Sequence, residues 1–280
     1  MNSEEPIQSL KPIVIKELVA AKNPSLANKI PGFIYWILNK LIHIKEINTI
    51  IEKFGHLQGV PFIEAALLYF EVNVKYKGEE NLPKSGRFIF ASNHPLGGFD
   101  GILLIKAASD RYGHSLSISR DELKKIPPLA DLFIPINKFG GQRQAIDLIN
   151  DAYKSDSQIL IFPAGLASRK TKGVIADLTW QKHFVQKSIE YQRDVLPIFI
   201  SGQNSWFFYA LANFRKWIGM KTNLEMFLLP DEMFRNRGKT FTITYGKPIS
   251  WKDFDRTKSH LEWADHVREE VYKLRSKDNK

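Results

Sequence analysis

A histidine, His94, ends an apolar run, and an aspartate, Asp100, follows six positions on, with Gly97 and Gly98 between them (ASNHPLGGFDGILL, 91–104). A tight turn needs glycine and proline. It needs neither a histidine nor an aspartate. An imidazole can take a proton from an attacking hydroxyl near neutral pH. It does so best when a carboxylate holds its other ring nitrogen and stabilises the imidazolium. Such a pair requires no serine or cysteine if the substrate supplies the nucleophile. His94 and Asp100 form it if the Gly97–Gly98 turn folds the acid back onto the ring. The competing reading is structural: a turn histidine, with Asp100 as the N-cap of a helix beginning GILLIKAA. Spacing alone leaves both open.

Two further loops carry anion-binding chemistry. In FPAGLASRK (162–170), Pro163 and Gly165 predict a turn whose backbone N–H groups face an anion. Ser168, Arg169 and Lys170 follow. Arg169 offers bidentate contacts to a phosphate or carboxylate, and Lys170 a point charge. In INKFGGQR (136–143), Lys138, Gly140, Gly141 and Arg143 precede a helix, where an anion can rest on free backbone N–H groups. The chain has no cysteine, which excludes thiolate catalysis, disulfides and cysteine-ligated zinc. The other six histidines fall in helical patterns, beside a helix-ending glycine or in a loop, and no metal site is expected.

These loops need a scaffold that brings them together. Short apolar runs at 87–92, 115–119, 132–137, 158–163, 195–200 and 240–246 read as strands, with a further one in EVNVKY. Helical patterns separate several of them, around 100–109, 141–153, 175–190 and 204–217. Strands alternating with helices indicate an α/β fold: a central mixed, mostly parallel sheet flanked by helices, with an N-terminal helical extension. Ligand sites in such sheets gather beyond the carboxyl ends of strands, where all three loops fall. A last helix is signalled by a capping box, Ser259 with Glu262, and by Leu261, Ala264, Val267, Val271 and Leu274 at helical spacing. The expected organisation is a flexible leader over 1–30, where prolines break any long helix, a helical segment over 31–71, and an α/β domain over 72–280. In the helical segment Phe33, Trp36 and Ile37 are interspersed with lysines. That pattern suits a membrane surface as well as packing on the core.

The 280 residues carry a formal net charge of +10, which favours anionic partners. The cations are spread along the chain without a polybasic arm, so no nucleic-acid partner is expected. The sequence lacks a secretion signal and an apolar stretch long enough to span a bilayer. VPFIEAALLYF comes nearest and is interrupted by Glu64. A cytoplasmic chain, peripheral on the inner face of the membrane, is the expectation.

The order of these blocks, Asn-His with a following Asp, FIPINK, FPAG…SRK, then DVLPIFISG, resembles the glycerolipid acyltransferases, the lysophosphatidic-acid acyltransferase superfamily. The similarity spans about 85–205. The resemblance implies that His94 is the base and Asp100 its orienting partner. The acceptor hydroxyl then attacks the thioester of acyl-CoA or acyl-carrier protein, with no further cofactor. It also implies a lysolipid-like acceptor, with Asn93, Lys138, Pro163, Gly165 and Ser168 matching the family's blocks. Together with the turn at Gly97 and Gly98 and the cations Arg169 and Lys170 these are the expected substrate contacts. The net charge and N-terminal helices point to an anionic membrane surface. Two departures stand out. Five residues rather than four separate His94 from Asp100, and Ala164, Leu166 and Ala167 replace the Glu, Thr and Arg of the family's third block. The first requires Gly97 and Gly98 to absorb a residue. The second suits an acceptor whose anionic head is not glycerol phosphate, and the family also includes enzymes that acylate the hydroxyl of acylated amino acids. Lysophosphatidate and an N-acylated amino acid lipid both stay open as acceptors. The alternative is a catalytically decayed lipid-binding or membrane-associating protein on the same scaffold.

Overall fold

The computed structural model describes residues 11–119, 126–135 and 142–275. The N-terminal part is helical: α1 (Ile15–Lys22), α2 (Pro24–Lys29), α3 (Gly32–Leu41), α4 (Ile44–Phe54) and α5 (Val60–Tyr69). The strands are β1 (Asn73–Lys77), β2 (Phe88–Ser92), β3 (Ser115–Ser119), β4 (Phe133–Pro135), β5 (Gln158–Ile161), β6 (Arg169–Thr171), β7 (Val174–Ala176), β8 (Asp194–Ile200) and β9 (Thr240–Tyr245). Among and after them lie α6 (Gly98–Tyr112), α7 (Gln142–Lys154), α8 (His183–Tyr191), α9 (Trp206–Trp217), α10 (Leu229–Phe234) and α11 (His260–Lys273).

Seven strands form one sheet in the order β1-β9-β8-β2-β5-β3-β4. Every pair is parallel except β8 with β9. The sheet is mixed and mostly parallel, as the sequence predicts. A strand inside such a sheet is covered on both faces and reads as an unbroken apolar run, and β2 is buried throughout. Its side chains alternate between the faces. Phe88 and Phe90 pack with α5 and α6, while Ile89 and Ala91 pack with Phe184 and Val185 of α8 and Val267 and Val271 of α11. The predicted capping box starts α11: the Glu262 N–H reaches the Ser259 hydroxyl at 3.3 Å, and the Ser259 N–H reaches Glu262 Oε2 at 2.6 Å.

Two expectations are corrected. Residues 11–30 are not a loose leader over their described length. α1 packs on α2 and on α3, the Tyr35 hydroxyl of α3 donates to the Ala27 carbonyl of α2 at 3.0 Å, and Asn48 of α4 holds the Ile13 backbone at both N–H and carbonyl, at 2.7 and 3.0 Å. Pro24 divides α1 from α2, as expected, and opens α2 at a position where its missing N–H is no loss; the Asn23 side chain caps that helix. The helical pattern over 175–190 divides into β7, an irregular stretch and α8. β7 pairs with β6 as an antiparallel hairpin. Between 33 and 54 the chain forms α3 and α4, with His43 in the left-handed region (φ 55) between them.

Arg193 fixes the floor under β5. It is fully buried and caps the end of α7 and the loop that follows. Its guanidinium donates to the carbonyls of Tyr153 (2.9 Å), Ser157 (2.8 Å) and Ser155. Each buried acceptor left without a donor costs about 1–3 kcal/mol. Arg193→Ala is therefore expected to destabilise the protein by about 3 kcal/mol or more, read as a lower denaturation midpoint with an unchanged m-value.

Candidate active site

The loop after β2 is set by its neighbours. Asn93, expected to touch substrate, is buried and commits its amide to the sheet. Nδ2 donates to the Ile200 carbonyl (2.9 Å), and Oδ1 accepts from the Ile200 N–H (2.7 Å). This clamps the ends of β2 and β8 together, just where His94 leaves the sheet. Gly97 then adopts φ 71, ψ −137 and ends as the N-cap position of α6, a backbone region that side chains other than glycine's rarely enter. Gly98 opens the helix, and Asp100 lies in its first turn. Asp100 is thus not the N-cap. Its carboxylate reaches back out of the helix to the Leu96 N–H, 2.8 Å from Oδ2.

The same Oδ2 lies 3.0 Å from His94 Nδ1. The contact is off the line of a straight N–H···O bond, a common state of catalytic pairs without substrate. The extra residue in the family spacing is absorbed by Gly97, and the acid still meets the ring. A Cβ at Gly97 would sit 2.7 Å from Leu229 Cδ1 of α10. Gly97→Ala is therefore expected to strain the turn by about 1–3 kcal/mol and, by shifting Asp100 against His94, to lower turnover by about 10²-fold. Steady-state kinetics together with the melting temperature read both effects.

Asp100 is completely buried. Burial raises its pKa above the ordinary carboxylate range. The adjacent His94 ring and the Leu96 N–H pull it back down, and Asp177 pushes it up. One face of the His94 ring stacks on Phe162, with centroids 4.2 Å apart and planes at 24°. Phe162 follows β5, the strand beside β2, so the first and third loops are adjacent as the carboxyl-end rule requires.

Asp177, which the sequence did not single out, binds these loops together. Its Oδ1 accepts from the His94 N–H (3.1 Å) and the Ser168 hydroxyl (2.6 Å), and its Oδ2 from Trp180 Nε1 (2.9 Å). Ser168 also donates its N–H to the His94 carbonyl (2.7 Å). Ser168, expected at the substrate, is buried and spent on this bracing. Pro163 is buried, and Gly165 is exposed at a turn closed by its N–H on the Phe162 carbonyl (2.9 Å). Lys170 is exposed on β6.

Arg169 differs most from expectation. Its guanidinium is turned inward, 2.8 Å from Oε1 of the fully buried Glu225, and also donates to the Ala167 carbonyl. Arg215 holds the other oxygen of Glu225 at 2.9 Å. A buried carboxylate between two guanidiniums is a paired structural charge, so Arg169 is not free to clamp a substrate anion. Ala167, where the family pattern has arginine, is sealed against Phe208, Tyr209 and Leu228. Arg143 is exposed on α7. Lys138, Gly140 and Gly141 lie outside the described residues. A fourth loop, after β8, joins the site unanticipated: Asn204 Nδ2 donates to the Pro95 carbonyl at 3.1 Å. The signal for it was available, since GQNS follows the predicted strand VLPIFI at its carboxyl end.

A histidine braced by a buried carboxylate, at the mouth of a parallel sheet, is an arrangement that can deprotonate a hydroxyl. A family model described as "Acyltransferase" matches residues 17–279. The chain belongs to the acyltransferase family. Two curated acyltransferases align along nearly its full length. The lyso-glycine lipid O-acyltransferase of Bacteroides thetaiotaomicron is 44% identical over 268 residues, covering 95% of this chain and 98% of that protein. The protein of the same name from Phocaeicola vulgatus is 44% identical over 264 residues, covering 94% and 95%. Among solved structures, the 1-acyl-sn-glycerophosphate (LPA) acyltransferase of Thermotoga maritima aligns with a TM-score of 0.46 at 19% identity, over 93% of this chain and 86% of that one. Among the described residues no cluster of His, Asp and Glu could hold a metal ion, and no helix is long and apolar enough to cross a membrane.

Proposed function

We propose that this acyltransferase O-acylates a lyso-glycine lipid, taking the fatty acyl group from an acyl thioester, acyl-CoA or acyl-carrier protein. The observation that carries the reading is the His94–Asp100 pair: Nδ1 faces a buried carboxylate, and Nε2 is the nitrogen left for the substrate. The acceptor comes from the two relatives, both of which are lyso-glycine lipid O-acyltransferases.

The reaction closes on these residues. His94 Nε2 takes the hydroxyl proton as the acceptor oxygen attacks the thioester carbonyl. Asp100 holds the imidazolium that forms. Collapse of the tetrahedral intermediate breaks the C–S bond, and the imidazolium returns the proton to the departing thiolate. The products are an ester and a free thiol. The sealed position of Ala167 and the paired state of Arg169 suit an acceptor whose head is a carboxylate rather than a phosphate dianion. Lys170 and Lys138 keep the role of holding it. The net charge of +10 suits the phosphates of CoA or an acidic carrier protein. The exposed Phe33, Trp36 and Ile37 of α3 suit a peripheral position on an anionic inner membrane face.

The test is transfer of a labelled acyl group from each donor to a panel holding lyso-glycine lipid, lyso-ornithine lipid and lysophosphatidate. Turnover is expected on the lyso-glycine lipid. A higher kcat/KM on lysophosphatidate would refute the acceptor, and no transfer from either donor would refute the reaction.

A further inference from the structure

Helix α9 has two apolar faces, and only one is covered. Phe208, Tyr209 and Ala212 are buried, the first two in a small cluster with Ala167 and Leu228. At 3.6 residues per turn, Trp206, Phe207, Phe214 and Trp217 fall together on an arc of about 100° on another side. Trp206 is 77% exposed and Trp217 81%. A helix that is apolar nearly all round belongs in a core or in lipid, yet α9 lies on the outside of the molecule. Neighbouring segments extend the patch. The short 3-10 turn Leu224–Leu228 exposes Leu224 and Phe227. The β6–β7 hairpin, tied to α9 by Asn213 Nδ2 on the Lys170 carbonyl (3.3 Å), exposes Val174.

The charge around this patch has one sign. Lys170, Lys172, Lys216 and Lys221 are exposed. Between Asp194 and Asp231 the only acid is Glu225, and between Asp156 and Glu190 the only acid is Asp177. Both are buried and already paired or hydrogen-bonded. An exposed aromatic face ringed by uncompensated lysines is what an anionic bilayer attracts. The rings settle at headgroup depth, and the lysine stems reach out to phosphates. A protein interface is depleted in lysine, and a second copy would set two like-charged rims against each other.

We propose that the exposed face of α9, with the 224–228 turn and the β6–β7 hairpin, docks this acyltransferase on an anionic lipid surface. The face is separate in sequence from the 31–71 segment, although Leu41 of α3 packs on the same small cluster. Its position suits delivery of a lipid. The N-cap Ser205 of α9 directly follows Asn204, whose amide holds the Pro95 carbonyl next to His94. A lysolipid leaving the leaflet at this helix arrives at the base. That delivery role rests on the proposed acceptor. The docking face does not.

Flotation of the full chain with vesicles tests it, using phosphatidylglycerol mixed equally with phosphatidylcholine against phosphatidylcholine alone. The wild-type chain is expected to float with the anionic vesicles. Trp206→Ser/Trp217→Ser and Lys216→Glu/Lys221→Glu, all at exposed positions, are each expected to lower partition by about tenfold or more, with circular dichroism and melting temperature unchanged. Wild-type failure to float, undiminished flotation of both variants, or loss only in Phe33→Ser/Trp36→Ser would overturn the proposal. So would a wild-type dimer that the tryptophan variant dissociates while still floating, which would make this face a contact between copies. In turnover, the tryptophan variant should match wild type on a short-chain, water-soluble acceptor and fall behind on the same headgroup embedded in vesicles. If wild type turns over neither, the acceptor reading fails and flotation alone still decides the docking face.

Discussion

His94→Ala is expected to lower kcat by about 10²–10⁴-fold, the usual contribution of a positioned general base, with KM and melting temperature close to wild type. Among the described residues no other group is placed to take over. The chain has no cysteine, Ser168 is buried with its hydroxyl on Asp177, and Asp177 has both oxygens filled by His94, Ser168 and Trp180. The ring contributes little to the core. It is partly exposed and its main packing partner is Phe162, a ring stack worth about 0.5–1.5 kcal/mol. The backbone bonds of residue 94, N–H to Asp177 and carbonyl from Ser168, survive truncation of the side chain. The variant should therefore fold, bind donor and acceptor, and fail at the proton transfer. Single-turnover kinetics with a labelled donor measure that step directly. An unchanged rate would remove His94 as the base, and with it the reading of the whole loop.

What the sequence made legible follows from how local each signal is. β2, β5 and β8 are interior strands, and interior parallel strands are apolar on both faces, so FIFAS, QILI and VLPIFI stand out as runs. The pair His94 and Asp100 was legible because both are polar residues that a turn does not need. Whether they met was not, because that depends on a single dihedral choice at Gly97. The long-range partners stayed hidden. Arg169 and Glu225 are 56 positions apart, and nothing local distinguishes an arginine paired inside the protein from one waiting for a phosphate. Asp177 falls in a stretch that read as helix, and its bonds run to residues 83 and 95 positions away as well as to near neighbours. Asn93 resembled a substrate ligand because the amide it clamps belongs to Ile200, across the sheet. In each case the missing information is tertiary.

Asp100→Asn is expected to lower kcat by about 10⁴-fold, the scale seen when a triad carboxylate becomes an amide, while leaving the protein at least as stable as wild type at neutral pH. Both halves come from the same burial. An asparagine amide donates to Nδ1 as readily as it accepts. Where it donates, it fixes the imidazole with its proton on Nε2, the tautomer that cannot act as a base there. It also removes the charge that steadies the imidazolium. The stability effect has the opposite direction. Burial raises the Asp100 pKa in the folded protein, so between the ordinary carboxylate pKa and the raised folded value the native state binds more protons than the unfolded chain. Stability then falls as pH rises through that window. The favourable contribution is complete below the unfolded pKa and is lost as pH passes the folded one. An asparagine has no such slope, and its removal of the charge strands no cation, because the partner is an imidazole that can be neutral. Melting curves across the acid range should show wild type losing ground to the variant with increasing pH, while turnover shows the reverse ranking at every pH. A variant that lost stability and activity together would mark Asp100 as a structural brace for the Leu96 turn, and the orienting role assigned to it would fall.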